Sequence, residues 1–209
     1  MISEEKNKLQ VKTFKLGSIE TNCYVAHDEV SKKGVLIDPG EYGAAVKKYI
    51  ETEGLDILWT INTHGHADHI LGNKKFGYPV MIHALDEPFL NDPSLNLSSF
   101  YKEEHEVFSA GSFLEDGTVI GIGAFDLKVI HTPGHTPGSV SIICGDMLFS
   151  GDTLFFDGVG RTDLPGGDQN ALFRSIREKL MTLNDHVKVF PGHGPETTIG
   201  HERKNNPFL

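Results

Sequence analysis

The sequence predicts a mixed α/β fold in which two β-sheets pack together and helices cover their outer faces. Three observations lead to this fold class. Short apolar segments rich in β-prone residues occur in two runs, one in each half of the chain. Each run is accompanied by a segment whose apolar residues recur at helical spacing. No linker rich in Pro, Gly or Ser interrupts the 209 residues, so we expect one domain spanning residues 1–209.

The first half contains the first run of strands, each bounded by turn residues. The predicted strands are Val11–Leu16, Asn22–Ala26, Gly34–Ile37, Ile57–Asn62 and Pro79–Ile82. A helix is predicted over Gly43–Glu53, because its apolar residues have helical spacing and Gly54 is a good helix terminator. A second helix is expected to begin near Ala67.

The second half repeats this alternation of strands and helix. The predicted strands are Phe125–Ile130, Val140–Cys144, Met147–Phe149 and Val187–Phe190. Between the last two, an amphipathic helix is predicted over Asp168–Leu180. Two strand runs with accompanying helices therefore indicate two sheets with helices outside.

Composition restricts the class of partner. Acidic residues outnumber basic ones by 29 to 19, and a net charge of −10 argues against binding to nucleic acid. The first ten residues are polar, and no run approaches the ~20 apolar residues of a membrane helix. The two cysteines, Cys23 and Cys144, form neither a disulfide framework nor a Cys-x-x-Cys pair. We therefore expect a cytoplasmic protein that does not associate with membranes.

Histidine is over-represented, and many of the eleven histidines follow predicted strands. Loops at strand ends place side chains at one edge of a sheet, where active sites gather. Seven histidines and aspartates occupy such loops, and each is a candidate metal ligand: His64, His66, Asp68, His69, His135, Asp152 and His193. Three histidines and an aspartate within six positions are not typical of an ordinary surface loop.

The spacing within the first group favours two metal centres. In an extended loop, His64 and His66 point to the same side, because side chains alternate with a period of two. Asp68 and His69 then fall in the first turn of the predicted helix and face a neighbouring point. One short segment is therefore able to serve two ions.

The three later ligands complete these centres. His135 and His193 would add one imidazole to each centre, and the two oxygens of Asp152 would bridge both. That arrangement provides four protein ligands per ion and leaves room for a shared water. Nitrogen and oxygen donors in this mixture predict two divalent metal ions, with Zn²⁺ favoured and Fe or Mn as alternatives.

At these residues the sequence resembles the metallo-β-lactamase superfamily. The signature His-x-His-x-Asp-His stands at residues 64–69, and the later three ligands occur in the family's order. The resemblance runs from about Val11 to the C-terminus and implies an αββα sandwich of two mixed sheets with outer helices. It also implies the partition of the ligands. One ion takes His64, His66, His135 and Asp152, and the other takes Asp68, His69, His193 and Asp152.

Within that superfamily the chain looks most similar to glyoxalase II-like hydrolases, on the strings at 63–69, 150–155 and 191–198. This resemblance implies a thioesterase that cleaves a hydroxyacyl-glutathione or a related small-molecule thioester by metal-bound hydroxide. Asp68 and Asp152 would be catalytic, since they would orient the nucleophile. The chain ends sixteen residues after His193, so we expect a short form without the C-terminal helical domain of full-length glyoxalases II.

Arg161 is the predicted substrate-binding residue, because it stands near the position of a glutathione-contacting lysine in glyoxalases II. An ion pair with Asp163 is an equally good interpretation of this arginine.

The string at 160–163 also resembles persulfide dioxygenases, so a mononuclear iron enzyme on the same fold is the second hypothesis. A non-catalytic metal-binding protein is the third. Four aromatic residues are candidates for the lining of a substrate pocket, but they are left out of the site because aromatic residues in such loops more often pack: Phe100, Tyr101, Phe155 and Phe156.

Overall fold

The computed structural model describes residues 7–100 and 109–209. Twelve strands form two six-stranded sheets that pack face to face, and two further strands form a small ribbon. Both large sheets contain parallel and antiparallel neighbours, and helices lie against their outer faces. The predicted αββα class is confirmed.

The first sheet is built in chain order. Its strands are β1 (Leu9–Leu16), β2 (Thr21–Asp28), β3 (Lys33–Ile37), β4 (Asp56–Ile61), β5 (Val80–His83) and β6 (Ser112–Leu114). The first three pair antiparallel, and β3 to β6 pair in parallel. The parallel strands β3, β4 and β5 therefore end at the same edge of the sheet.

The second sheet contains one pair of neighbouring strands that are not consecutive in the chain. Its spatial order is β14 (Thr197–Thr198), β13 (Lys188–Pro191), β10 (Met147–Gly151), β9 (Val140–Cys144), β8 (Phe125–His131) and β7 (Val119–Ile122). β10 and β13 are parallel, and β8 runs in the same direction because β9 is antiparallel to both of its neighbours. The ribbon consists of β11 (Leu154–Phe155) and β12 (Gly158–Val159).

Five helices and three short 3₁₀ turns complete the structure. The helices are α1 (Ala44–Glu53), α2 (Ala67–Ile70), α3 (Asn73–Phe76), α4 (Gln169–Glu178) and α5 (Ile199–Asn205), and the 3₁₀ turns are Ala84–Leu90, Ser98–Phe100 and Leu180–Thr182. As predicted, α1 ends at Gly54, which adopts the left-handed conformation (φ 65°). Within the described ranges, no helix has the length and apolar character needed to cross a membrane.

Alternation along the strands sorts side chains into layers. In β3, Val35 and Ile37 belong to the cluster between the sheets, whereas Leu36 belongs to the cluster that includes α1. In β10, Phe149 points to the centre, whereas Leu148 packs in the cluster that includes α4. All five side chains are fully buried, so each sheet is apolar on both faces.

All predicted strands and helices overlap observed ones, and several short elements were not predicted. These are β6, β7, β11, β12, β14, α3 and α5. Six of them have two to four residues, too few to display a periodic pattern. The helix expected near Ala67 is a single turn.

Asp28, at the end of β2, links the two sheets. Its buried carboxylate accepts hydrogen bonds from the amides of Val30 (2.8 Å) and Ser31 (3.2 Å) in its own turn. It also accepts one from the amide of Ala124 (2.8 Å) in the turn between β7 and β8. Burial acts to raise the pKa of Asp28, but the hydrogen bonds, led by that from Ala124 and one from Asn7, hold it well below its usual range.

Replacing Asp28 by asparagine is expected to destabilise the fold in a pH-dependent way. The amide turns one acceptor into a donor, which leaves a buried N–H unpaired and costs about 1–3 kcal/mol. Because the folded pKa is depressed, the carboxylate stabilises the protein above its unfolded pKa of about 4 and loses this effect at lower pH. Urea unfolding of both proteins at pH 7 and pH 3 should show a large difference at pH 7 and a smaller one at pH 3. A difference that grows towards pH 3 would contradict this account.

Candidate metal centre

Four strands deliver the candidate ligands to one edge of the sandwich. β4 in the first sheet and β8, β10 and β13 in the second each end a few residues before a ligand loop. The structure brings all seven sequence-predicted ligands together there, in overlapping groups whose donor atoms lie within 4.8 Å of one another. Side chains up to 129 positions apart in the chain, at His64 and His193, thus converge on one site because the strands that carry them end at one edge of the sandwich.

The first group, which we call trio 1, consists of His64, His66 and His135. All three side chains are buried, and their ring centroids lie 4.6–4.9 Å apart. His66 Nδ1 lies 2.9 Å from His135 Nε2, so two imidazole nitrogens face the same point. Three imidazoles converging in this way are a typical cation-binding arrangement.

The second group, trio 2, consists of Asp68, His69 and His193. Asp68 Oδ2 lies 3.2 Å from His69 Nε2 and 3.1 Å from His193 Nε2. Asp68 and His69 belong to the single-turn helix α2, which places their side chains beside each other, next to trio 1. The carboxylate gives trio 2 a formal negative charge that trio 1 lacks.

Asp152, the first residue after β10, lies between the two trios. Its Oδ1 is 3.4 Å from His69 Nε2, and its Oδ2 is 3.6 Å from His135 Nε2 and 3.7 Å from His193 Nε2. One carboxylate therefore approaches imidazoles of both groups. This is the geometry that a bridging ligand requires.

Unpartnered polar atoms show that the residues fit metal ions. The Nε2 atoms of His64 and His66 and the Oδ1 atom of Asp152 are buried and have no hydrogen-bond partner. Burying such atoms without a partner costs free energy, and native structures rarely tolerate several in one place. Coordination of divalent cations by these nitrogen and carboxylate donors would satisfy them.

In trio 1, the protonation states of His64 and His66 also favour the binding of a metal ion. Burial, reinforced by the neighbouring imidazoles, lowers the pKa of His64 well below its usual range. Burial and the adjacent His135 likewise lower the pKa of His66 to about 3. Both rings are therefore neutral at pH 7, which is the form that binds metal ions.

His69 is oriented by an aspartate that sequence reasoning missed. Asp38 Oδ2 lies 3.0 Å from His69 Nδ1, and the same carboxylate accepts hydrogen bonds from Thr63 N (2.8 Å) and Thr63 Oγ1 (2.6 Å). This pairing directs Nε2 of His69 towards Asp68 and Asp152. Burial acts to lower the pKa of His69, but the surrounding carboxylates outweigh it and raise the pKa. Asp38 is isolated in the sequence, 25 positions from Thr63, so no local motif identifies it.

A cavity of about 470 Å³ opens over the two trios. His193, Asp68 and Asp152 keep 28%, 16% and 12% of their side chains exposed, so they form its floor together with parts of trio 1. Apart from Arg161, the remaining lining contributed by residues 7–100 and 109–209 is apolar and consists of Ile19, Leu97, Phe100, Phe155, Val159 and Leu164. Phe100 and Phe155 were left out of the predicted site, but both line the cavity, so the alternative of a pocket lining applies to them. Phe156 stacks on His201, and Tyr101 lies outside the described residues.

Arg161 forms an ion pair with Asp163 and also lines the cavity. Its guanidinium forms two hydrogen bonds with Asp163, of 2.7 and 2.8 Å, and it also lines the cavity. Both side chains are more than half exposed, so this ion pair exchanges readily with solvent. The backbone carbonyl of Arg161 lies 2.8 Å from His135 Nδ1 and accepts a hydrogen bond from it, which directs Nε2 of that ring towards His64 and His66.

Comparison with known proteins agrees with this geometry. Residues 17–193 match the family described as the metallo-β-lactamase superfamily. The probable metallo-hydrolase YqgX of Bacillus subtilis is 40% identical over 203 residues, which cover 93% of this chain and 94% of that protein. The hydroxyacylglutathione hydrolase GloC of Haemophilus influenzae is 32% identical, with 96% of this chain and 98% of that protein covered.

Solved structures with the same fold extend the comparison. The crystal structure of the B3 metallo-β-lactamase BLEG-1 is 40% identical, has a TM-score of 0.87 and covers 96% of this chain and 99% of its own. The crystal structure of TTHA1623 in a di-iron-bound form is 37% identical, has a TM-score of 0.79 and covers 95% and 100%. These matches and the His-rich site fit a centre that holds two divalent ions.

Proposed function

Because this chain belongs to the metallo-β-lactamase superfamily, we propose that it is a two-metal thioesterase that cleaves a hydroxyacyl-glutathione or a related small-molecule thioester. The observation that carries the proposal is Asp152, which lies between trio 1 and trio 2 at the floor of an open, largely apolar cavity. A floor that remains accessible distinguishes a catalytic site from a closed structural metal site.

The residues at the floor of the cavity have different roles in hydrolysis. When bound, two divalent ions lower the pKa of a water molecule towards ~7 and polarise a substrate carbonyl. Asp68 and Asp152 present carboxylate oxygens to the cavity, where they orient the attacking water by accepting hydrogen bonds from it. Thr21 Oγ1 donates a hydrogen bond to Asp68 Oδ2 (3.0 Å), which restrains that carboxylate. No side-chain nucleophile is required, and both Cys23 and Cys144 are buried away from the cavity lining.

The walls of the cavity suit a thioester with an apolar portion. Phe100, Leu97 and Ile19 form part of the lining, and Phe155 approaches His193 with a ring-centroid distance of 6.3 Å. Apolar walls exclude bulk water, which strengthens the interaction of the floor charges with a developing oxyanion. Arg161 is the cation of the lining and is placed to pair with an anionic group of the substrate.

The relatives support thioester cleavage as the first candidate reaction and β-lactam hydrolysis as the second. GloC, a hydroxyacylglutathione hydrolase by name, matches nearly the full length of the chain. Similarity to BLEG-1, described as a metallo-β-lactamase, makes β-lactam hydrolysis the second candidate. We propose Zn²⁺ as the metal on the basis of the nitrogen and oxygen donors, with iron as the alternative that the di-iron TTHA1623 supports.

Substrate turnover tests the proposal. The protein is purified without added metal, its metal content is measured, and four reactions are assayed: cleavage of lactoylglutathione, cleavage of an acetyl thioester, hydrolysis of a chromogenic cephalosporin, and oxygen uptake with glutathione persulfide. We expect thioester cleavage with close to two ions per chain. A His64→Ala variant should lose it, whereas His186→Ala, at an exposed histidine paired with Asp146, should retain it. Cephalosporin hydrolysis alone, or one iron with oxygen uptake, would overturn the thioesterase assignment.

Arg161→Ala is expected to weaken binding of a thioester that carries a carboxylate. Loss of a hydrogen bond to a charged group costs about 1.5–3 kcal/mol, and partial exposure places the effect at the lower end, so we expect about a tenfold rise in KM. The carbonyl that orients His135 remains, so kcat should change little. Steady-state kinetics with lactoylglutathione and with an uncharged acetyl thioester separate the two effects.

Asp163→Asn is the matched control for this prediction. It removes the ion-pair partner of Arg161 without shortening the arginine, so KM for the anionic thioester should fall or stay constant. If Arg161→Ala left KM for lactoylglutathione unchanged, the arginine would be part of a surface ion pair alone.

A further inference from the structure

Asp86 is a buried carboxylate outside the set of candidate ligands. It stands at the start of the 3₁₀ turn Ala84–Leu90, directly after β5, and none of its surface is exposed to solvent. Burial raises its pKa above the usual range, although its hydrogen-bond donors oppose the shift. Burying a carboxylate is costly, so a position of this kind requires a compensating role.

The donors to Asp86 come from the two loops that carry trio 1. Oδ2 accepts hydrogen bonds from Gly65 N (2.9 Å) and Thr136 Oγ1 (2.6 Å), and Oδ1 accepts one from Gly138 N (2.6 Å). Gly65 lies between His64 and His66, and Thr136 directly follows His135. One carboxylate therefore ties the loop after β4 in the first sheet to the loop after β8 in the second.

The packing around Asp86 leaves these loops little freedom. A Cβ atom added to Gly138 would lie 2.6 Å from Asp86 Oδ1, so the loop approaches the carboxylate as closely as glycine allows. Thr136 is held further by Ser139, whose Oγ lies 2.8 Å from Thr136 Oγ1 and accepts a hydrogen bond from Thr136 N (3.0 Å).

Trio 2 is held by different residues. The side-chain amide of Asn22 donates hydrogen bonds to the carbonyls of Pro191 and Gly194, both 2.9 Å away, and thereby restrains the loop that carries His193. Its backbone N–H donates to Gly192 O at 2.7 Å. None of the hydrogen bonds described for Asp86 reaches this loop.

We propose that Asp86 is a positioning residue that sets the separation of His64 and His66 from His135, and so controls metal affinity at trio 1 without affecting trio 2. Asn22 has the reciprocal role at trio 2. This inference rests on the two-metal centre and not on the identity of the substrate. Partners that orient metal ligands typically affect metal affinity by about 10–100-fold.

The test measures Co²⁺ binding in backgrounds that keep one trio complete. His193→Ala leaves trio 1 intact, and His66→Ala leaves trio 2 intact. Asp86→Asn is added to each, because the isosteric amide places an N–H against the donors from Gly65 or Gly138 and breaks one side of the link. Co²⁺ affinity and its visible absorption spectrum are measured without substrate, so the result is independent of the thioesterase assay.

We expect Asp86→Asn to weaken Co²⁺ binding at least about tenfold and to alter the spectrum in the His193→Ala background, with less than about a twofold change in the His66→Ala background. Asn22→Ala should show the reverse selectivity. Equal weakening in both backgrounds, or no weakening at trio 1, would overturn the proposal. If Asp86→Asn fails to fold, Thr136→Val removes one donor and must show the same selectivity, with Thr136→Ser restoring wild-type affinity.

Discussion

Replacing Asp152 by alanine is expected to abolish most of the catalytic activity and to reduce the number of bound metal ions below two. Asp152 lies within 3.4–3.7 Å of imidazoles from both trios, so its removal takes a carboxylate from each at once. A pair of ions that stabilises transition-state charge contributes several kcal/mol, and loss of that effect lowers kcat on the order of a thousandfold. Metal analysis and steady-state kinetics on the same purified samples measure both consequences.

An exposed aspartate provides the control for this variant. Asp146 pairs with His186 at the surface, so Asp146→Ala removes an acidic side chain and an imidazole partner without touching the centre. It should keep two ions and near wild-type turnover. An Asp152→Ala protein that retained two ions and full activity would remove Asp152 from the site.

Removal of the metal ions is expected to lower the melting temperature by roughly 8–16 °C for each ion lost. Without them, the buried Nε2 atoms of His64 and His66 and the buried Oδ1 atom of Asp152 lack hydrogen-bond partners. An ion present at about a thousandfold excess over its Kd stabilises the folded state by about 4 kcal/mol. For a chain of this size, each kcal/mol corresponds to about 2–4 °C in Tm. Thermal unfolding with and without a chelator measures the shift.

The Asp152→Ala protein is the natural control for this measurement. With weakened sites, its melting temperature should respond less to the chelator than that of the wild type. Re-addition of Zn²⁺ should restore the wild-type value. A wild-type melting temperature that did not change on chelation would mean that the ligands are already satisfied without metal.

The candidate ligands were predictable because they form a local pattern. His64, His66, Asp68 and His69 stand within six positions, and each later candidate lies one to four residues after the end of a strand whose apolar residues make it predictable. The layers were predictable for a related reason, since a continuous apolar run such as Val35–Ile37 in β3 is typical of sheets that are buried on both faces. The strands that position the site could therefore be predicted from their apolar residues in the sequence.

The residues that hold the ligands left no such signal. Asp86 receives hydrogen bonds from Thr136 and Gly138, 50 and 52 positions away, and Asp38 contacts Thr63 across 25 positions. In the sequence, an isolated aspartate cannot be distinguished from an ordinary polar loop residue, because its hydrogen-bond partners are brought together only by the fold. The lining residue Phe100 was considered but left out of the predicted site for the same reason, because nothing in its neighbourhood distinguishes a wall of a cavity from ordinary packing.

Titration of the metal-free protein with Zn²⁺ tests the two-metal hydrolase most directly. Bound zinc and thioesterase activity are followed together as ion is added. Because trio 1 and trio 2 each supply donors for one ion and Asp152 approaches both, activity is expected to rise until two equivalents are bound and then to remain constant. Full activity with a single bound equivalent, or saturation at one ion, would contradict the two-metal account.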